Sequence, residues 1–220
     1  MRRRTSASTA FHRATRIVWR PAALAATVSL VALTLIAGCS TGGGNAPAPL
    51  ARYDFGSLPD ETTLAKPLAT PIRVAAVSAP AALSTDAFQY RLGYADDRQT
   101  HAYASARWTM PPPQLFTTRL REQLAKQGHV LDTSDGGPTV PVLKVELDEF
   151  AQVFDQPGSS AGRVRVRATI LHGSALIAQQ TFIGTSQASS ADAAGGARAL
   201  GLASDAVITQ LITWLSTQNL

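Results

Sequence analysis

An α+β domain, an antiparallel sheet with two main helices packed on one face, is predicted by three features of this sequence. Leu143, Val145 and Leu147 alternate with Lys144, Glu146 and Asp148, and Val164, Val166, Ala168 and Ile170 alternate with Arg163, Arg165, Arg167 and Thr169. A period of two with a single apolar row is a strand buried on one side and wet on the other. Asp155-Gln156-Pro157-Gly158-Ser159 lies between the two runs and is turn-forming, so the strands follow one another through a short link, as in an antiparallel meander. Two other stretches repeat at three- and four-residue intervals: Phe116, Leu120 and Leu124, and then Leu200, Ala203, Val207, Leu211 and Trp214. Each is the stripe by which a helix packs on a core.

The chain opens differently. Arg2, Arg3, Arg4, Arg13, Arg16 and Arg20 fall among the first twenty residues with no acid, and an uncharged run rich in Ala, Leu and Val follows, from Ala22 to Ile36. A basic start, an apolar middle and small residues at its end make residues 1–38 a secretory signal. The run ends in Leu35-Ile36-Ala37-Gly38-Cys39, which resembles the lipobox of bacterial lipoproteins. There the thiol takes a diacylglyceryl group and the small residues before it admit the signal peptidase. Cys39 is the only cysteine in the chain, so a disulfide within the chain is excluded. Cys39 is therefore the expected lipidation site and mature N-terminus. Ser40, where an Asp would retain a Gram-negative lipoprotein at the inner membrane, resembles the sorting pattern for the outer membrane. Residues 39–50 are then a lipidated flexible tether, by their Gly, Asn, Ala and Pro content. Without the signal's six arginines, residues 39–220 hold fourteen basic and fifteen acidic side chains. The basic character of the whole chain leaves with the signal, and no nucleic-acid footprint remains.

Residues 51–220 are expected to be the periplasmic domain. Ile72–Val77 reads as a first strand closed by Pro80, Phe88–Tyr94 as a second, Asp96–Thr100 as a polar turn, and Tyr103–Trp108 as a short third strand. Pro111-Pro112-Pro113 suits a helix start, Leu115–Lys126 carries the first helical stripe, and Gly128 is placed to stop it. After the two alternating strands, His172-Gly173-Ser174 turns into a further strand around Ala178–Gly184, and Asp192–Thr217 is the closing helix. Gly195, Gly196 and Gly201 should weaken its first turns by up to about 1 kcal/mol each.

No constellation of catalytic groups is visible in the sequence. His101, His129 and His172 are isolated, and no metal-ligand spacing, phosphate loop or Gly-x-Ser-x-Gly elbow occurs. No cofactor, metal or enzymatic activity is expected. The one surface feature to weigh is the row Arg163, Arg165 and Arg167, which is either a contact stripe for a partner or lipid headgroups, or a solvated face paired across to Glu146 and Asp148. Trp108 and Trp214 fit core or domain-edge packing; if exposed, Trp108 would join the contact surface.

The order of these pieces resembles the ABC-type transport auxiliary lipoprotein family, the PqiC-like proteins. Tyr53-Asp54-Phe55-Gly56 stands where that family has a short Tyr-containing segment. Ile72, Val74, Val77, Pro80 and Leu83 follow its first strand and the step after it, and Tyr90–Tyr94, Trp108 and Leu115–Leu124 its extended segment, Trp and Leu-spaced helix. Leu143, Val145, Leu147 and Phe150 match a strand ending in Phe, and Trp214-Leu215 the end of the terminal helix. Thr109-Met110-Pro111 departs from the acidic and proline residues that often follow the family's Trp. The resemblance implies a non-enzymatic component of a lipid transport system, with an MCE-type substrate-binding protein and ABC transporter components as partners, the membrane reached through the lipid anchor, and a homo-oligomer left open. Two other classes stay open: an outer-membrane assembly or structural lipoprotein, and an envelope hydrolase with a dispersed site.

Overall fold

The structure is a computed structural model that describes residues 49–59, 70–135 and 139–220. The signal, Cys39 and all of the tether except Pro49 and Leu50 lie outside them. Along the chain come β1 (Ala51–Tyr53), β2 (Ile72–Val74), a 3₁₀ turn at Ala81–Leu83, β3 (Ala87–Leu92), β4 (Asp96–Trp108) and α1 (Pro112–Ala125). Then follow β5 (Val130–Asp132), β6 (Val142–Gln156), β7 (Ser159–His172), β8 (Ala175–Gln187) and α2 (Ala193–Ser216).

The three longest alternating runs form the expected meander. β6 pairs antiparallel with β7 from Val142↔Leu171 to Gln156↔Ser159, and β7 with β8 from Ala161↔Gln187 to His172↔Ala175. The other side of β6 is shared. Its start takes β2 in parallel (Val74↔Leu143), and its end takes β3 in parallel (Tyr90↔Gln152). β5 adds to β2 in parallel, β4 to β3 antiparallel, and β1 to β4 in parallel. The eight-stranded sheet is thus mixed, not antiparallel throughout as the sequence suggested. The reason is connectivity: α1 lies between the first strands and β6, and a chain that returns through a helix can lay its next strand parallel to an earlier one.

Both helices contribute to one buried cluster with the inward rows of the sheet. Phe116, Leu120 and Leu124 of α1 and Leu200, Ala203, Val207, Leu211 and Leu215 of α2 join Leu143, Val145, Leu147, Val164, Val166 and Ile170. α2 is long and apolar enough to cross a membrane by length and composition, but its apolar stripe is spent on the sheet. Its glycines and those beneath it set how closely it lies. A Cβ on Gly196 would stand 2.1 Å from Gln152 Oε1, one on Gly162 2.6 Å from the backbone of Ala199, and one on Gly184 2.5 Å from the carbonyl oxygen of Ala203. Gly196 in the helix and Gly162 and Gly184 in the strands therefore admit a close helix–sheet contact that larger residues would block.

Two local expectations need correction, and two short strands were not foreseen. Asp96–Thr100 belongs to β4, and the turn is at Gly93-Tyr94-Ala95, closed by the Ala95 N–H donating to Leu92 at 2.9 Å. Its polar residues mark a strand end wet on both faces. Gly128 is not the stop of α1, which ends at Ala125; the left-handed glycines among the described residues are Gly56, Gly158 and Gly173. β1 and β5, three residues each, are too short to carry a period.

Candidate functional site

The arginine row lies on the sheet face opposite the helices, where the β6–β7 register sets it against acids. Arg167 faces Glu146 and is ion-paired to it, a contact that pushes the guanidinium pKa up. A bulge between Leu147 and Glu149 takes Asp148 out of line and puts Glu149 opposite Arg165, at 3.7 Å, while Arg163 reaches Asp155 at 3.2 Å. Glu149 also meets Arg91 at 3.6 Å. The cross-strand partners are thus Glu146, Glu149 and Asp155, rather than Glu146 and Asp148. The arginine side chains remain 42–45% exposed, so they are both paired and accessible.

Trp108 is not part of any surface. It has no exposed area and packs on Phe88 at 4.6 Å, Phe150 at 5.3 Å and Phe55 at 6.1 Å between centroids. β4 delivers it inward from the end of the strand, beside the first turn of α1. What reaches solvent near it is a chain of rings that begins at Phe88. Tyr103 lies 5.3 Å from Phe88, Tyr90 lies 4.7 Å from Tyr103, and His101 stacks on Tyr90 at 5.2 Å. The Tyr103 hydroxyl donates to Gln152 Oε1 at 3.0 Å, and burial pushes its pKa up to about 12. Gln152, itself fully buried, donates to Ser160 Oγ at 2.8 Å and to the Asp192 carbonyl at 3.1 Å. This polar chain ties β4, β6 and β7 to the start of α2.

A second polar cluster holds the segment that follows β1. β1 lies at the sheet edge beside β4, and Phe55 after it touches both helices, at Arg119 of α1 and Gly201 of α2. Arg119 of α1, 4% exposed, donates through Nη2 to the carbonyls of Phe55 at 2.6 Å and Gly56 at 2.9 Å. Its Nε lies 3.3 Å from Asp205 of α2, which also accepts from Gln123 at 2.7 Å. Burial raises the Asp205 pKa, against the pull of Arg119 and Gln123. A groove of about 510 Å³ runs beside this segment, between Arg52–Pro59 and α2 at Ala194, Arg198 and Leu202. Arg119 bridges two carbonyls and a carboxylate, so the cluster acts as a clamp between the segment after β1 and the two helices.

Sequence reasoning missed Arg119, Gln123, Asp205, Gln152 and Tyr103. A signal for the first two was present: Arg119 and Gln123 are polar residues on the shoulder of the Phe116–Leu120–Leu124 stripe. Nothing in the sequence joins them to Asp205. His101, His129 and His172 stay apart, on β4, ahead of β5 and at the end of β7. Among the described residues no group of three His, Cys, Asp or Glu side chains could hold a metal ion.

Comparison with known proteins places this architecture. Among solved structures, protein XCC0632 from Xanthomonas campestris is 22% identical with a TM-score of 0.60, over 76% of this chain and 91% of that one. An uncharacterized protein is 16% identical with a TM-score of 0.59, over 76% of this chain and 99% of that one. At such identities the likeness is one of fold. No curated protein matches the chain. The family model of the ABC-type transport auxiliary lipoprotein component matches residues 53–211, from the last residue of β1 into the final turns of α2. A match over that span takes in both polar clusters and every strand from β2 to β8, and the chain belongs to the ABC-type transport auxiliary lipoprotein component family.

Proposed function

We propose that this chain is a non-enzymatic adaptor, lipid-anchored through Cys39 on the periplasmic face of the outer membrane, serving an MCE-type ABC lipid transport system. The family match over residues 53–211 carries the reading. The lipobox-like Leu35–Cys39, followed by Ser40, supports the anchor and its membrane. A tether of about ten residues has a root-mean-square reach of about 15–20 Å, which keeps the domain near its membrane. Its partner must therefore come to it across the periplasm. Tethering raises the effective concentration at that contact, so a weak interface suffices. The contact surface in this proposal is the helix-free sheet face bearing Arg163, Arg165 and Arg167, which are accessible although ion-paired.

The test is deletion and complementation in the native host. Cys39→Ser blocks lipidation; the stable, unlocalised protein is expected to fail to restore envelope resistance or lipid balance. Cross-linking of the wild type is expected to recover an MCE-type protein. Full complementation by the unanchored domain, with no transport component recovered, overturns the adaptor reading.

A further inference from the structure

The helix-free face of the sheet is not charged along its whole length. At one end a single row crosses five strands. Leu131 of β5 pairs with Arg73 of β2, Arg73 with Val142 of β6, Val142 with Leu171 of β7, and Leu171 with Leu176 of β8. Residues directly opposite one another share a face. Leu143 and Ile170, the neighbours of Val142 and Leu171, are fully buried on the helix side, so this row projects to the other side. Four of its five residues are aliphatic. The fifth, Arg73, donates its guanidinium to the carbonyls of Asp132 and Asp135, which holds its charge at the β5 side.

Leu176 is 61% exposed. Ile177, unpaired at the bulge between the Ile170–Ala178 and Leu171–Leu176 pairs, is 40% exposed and extends the row. Leu131, Val142 and Leu171 are partly exposed, and none of these five aliphatic residues belongs to the core cluster or packs against it. They are therefore apolar for a reason other than folding the domain. The next rows on the same face are polar: Lys144, Thr169 and Gln179, then Glu146, Arg167 and Thr181. An apolar group outside the core with a polar border is the form of a contact site.

The topology gives its place. β1 is parallel to β4, β4 antiparallel to β3, and β3 parallel to β6, so β1 runs against β6 and toward the row. Through those registers the start of β1 stands level with Glu149–Phe150 of β6. Val142 lies about 25 Å from there along the strand. A domain held at its membrane by the chain before β1 thus carries the row on the side away from that membrane, where a protein crossing the periplasm arrives. The charge beside the row points to the chemistry of that protein. Lys144 is exposed and has no ion pair or hydrogen bond among the described residues, whereas Arg163, Arg165 and Arg167 each have an acid.

We infer that the row Leu131, Val142, Leu171 and Leu176, with Ile177, is the anchor point for the transport partner, and that it takes aliphatic or aromatic side chains of that protein with a carboxylate beside them at Lys144. The inference rests on the adaptor reading and adds to it. The paired arginines act on encounter, while desolvated apolar side chains at the end of the same face hold the complex.

The experiment uses the full chain in its native host, with a photoreactive side chain at position 176 and irradiation of intact cells. The control position is 94, because Tyr94 is 48% exposed in the turn at the other end of the sheet. Position 176 is expected to give an adduct with a transport component, identified by mass spectrometry, and position 94 none. Lys144→Glu is expected to lower the yield at 176 several-fold and Lys144→Arg to keep it; both changes sit on the exposed face and leave the core untouched. Adducts at 176 only with a second copy, only with lipid or only with another envelope protein would each overturn the assignment, as would equal yields at 176 and 94 or a yield indifferent to Lys144→Glu. A transport component recovered by chemical cross-linking of the wild type but absent from the position-176 adducts overturns this site and leaves the adaptor reading standing. No transport component by either route overturns both.

Discussion

Arg119 shows what a single buried charge does to this domain. It spans Asp205 and the carbonyls of Phe55 and Gly56, so its loss leaves a largely buried carboxylate without its counter-charge, held by Gln123 alone, and two carbonyls without this donor. Removing one partner of a buried pair costs about 3–5 kcal/mol, and Asp205 is slightly open to water, which favours the low end. Arg119→Leu is therefore expected to lower stability by about 3 kcal/mol in urea unfolding at pH 7. The sign of its pH dependence follows from Asp205, whose pKa is already raised by burial and loses a lowering influence in the variant. A group with a raised folded pKa favours the folded state at low pH, and that advantage is lost as pH rises through its folded pKa. The variant's deficit should thus shrink between pH 7 and pH 4; a deficit that stays constant or grows would place the damage elsewhere. Gly162 supplies the steric counterpart. A Cβ there meets helix backbone, not a flexible side chain, so Gly162→Ala should cost about 1–3 kcal/mol by overpacking.

The elements divide by how local their causes are. β6, β7 and α2 were legible because each carries its period over many residues, and the turn at Asp155–Ser159 links two of them. β1 and β5 were not, since three residues hold no period, and their place depends on edges that β4 and β2 supply. The parallel pairings of β2 and β3 with β6 were hidden for a related reason: register across a long connection leaves no trace in local alternation. The proposed contact surface was half legible. The arginines were found by alternation, but the bulge that swaps Asp148 for Glu149 was not, and Trp108 looked ambiguous because burial is a property of the assembled layers. The start of α2 is a local feature that can be tested. Asp192 accepts the Gly195 N–H at 2.8 Å and the Ser190 hydroxyl at 2.7 Å, and these bonds lower its pKa. Its stabilisation is present above the ordinary carboxylate pKa and is lost as pH falls through the lowered one. Asp192→Ala should cost about 1 kcal/mol near neutrality, and thermal melts of variant and wild type should converge toward pH 3.

At the scale of the whole molecule, one face of the sheet is committed to the core and the other carries no helix among the described residues, and the two carry different energetics. Outside, Arg163, Arg165 and Arg167 form solvent-exposed ion pairs, each contributing little because water screens the charges. They contribute little to holding the fold, so that face can change with small effect on stability, whereas the inner face cannot. A charged, accessible face acts chiefly on encounter rate and partner choice. Replacing all three arginines by Gln makes the domain more negative by three charges and leaves Glu146, Glu149 and Asp155 without their β7 partners. The expected outcome is a melting temperature within a few degrees of wild type, undisturbed membrane localisation, and a several-fold fall in cross-linking to the transport partner, with the difference narrowing as salt screens the wild-type contact. Localisation and melting serve as internal controls, since neither the anchor nor the core is touched. A triple variant that melts normally, localises normally and cross-links as well as the wild type would move the contact off this face.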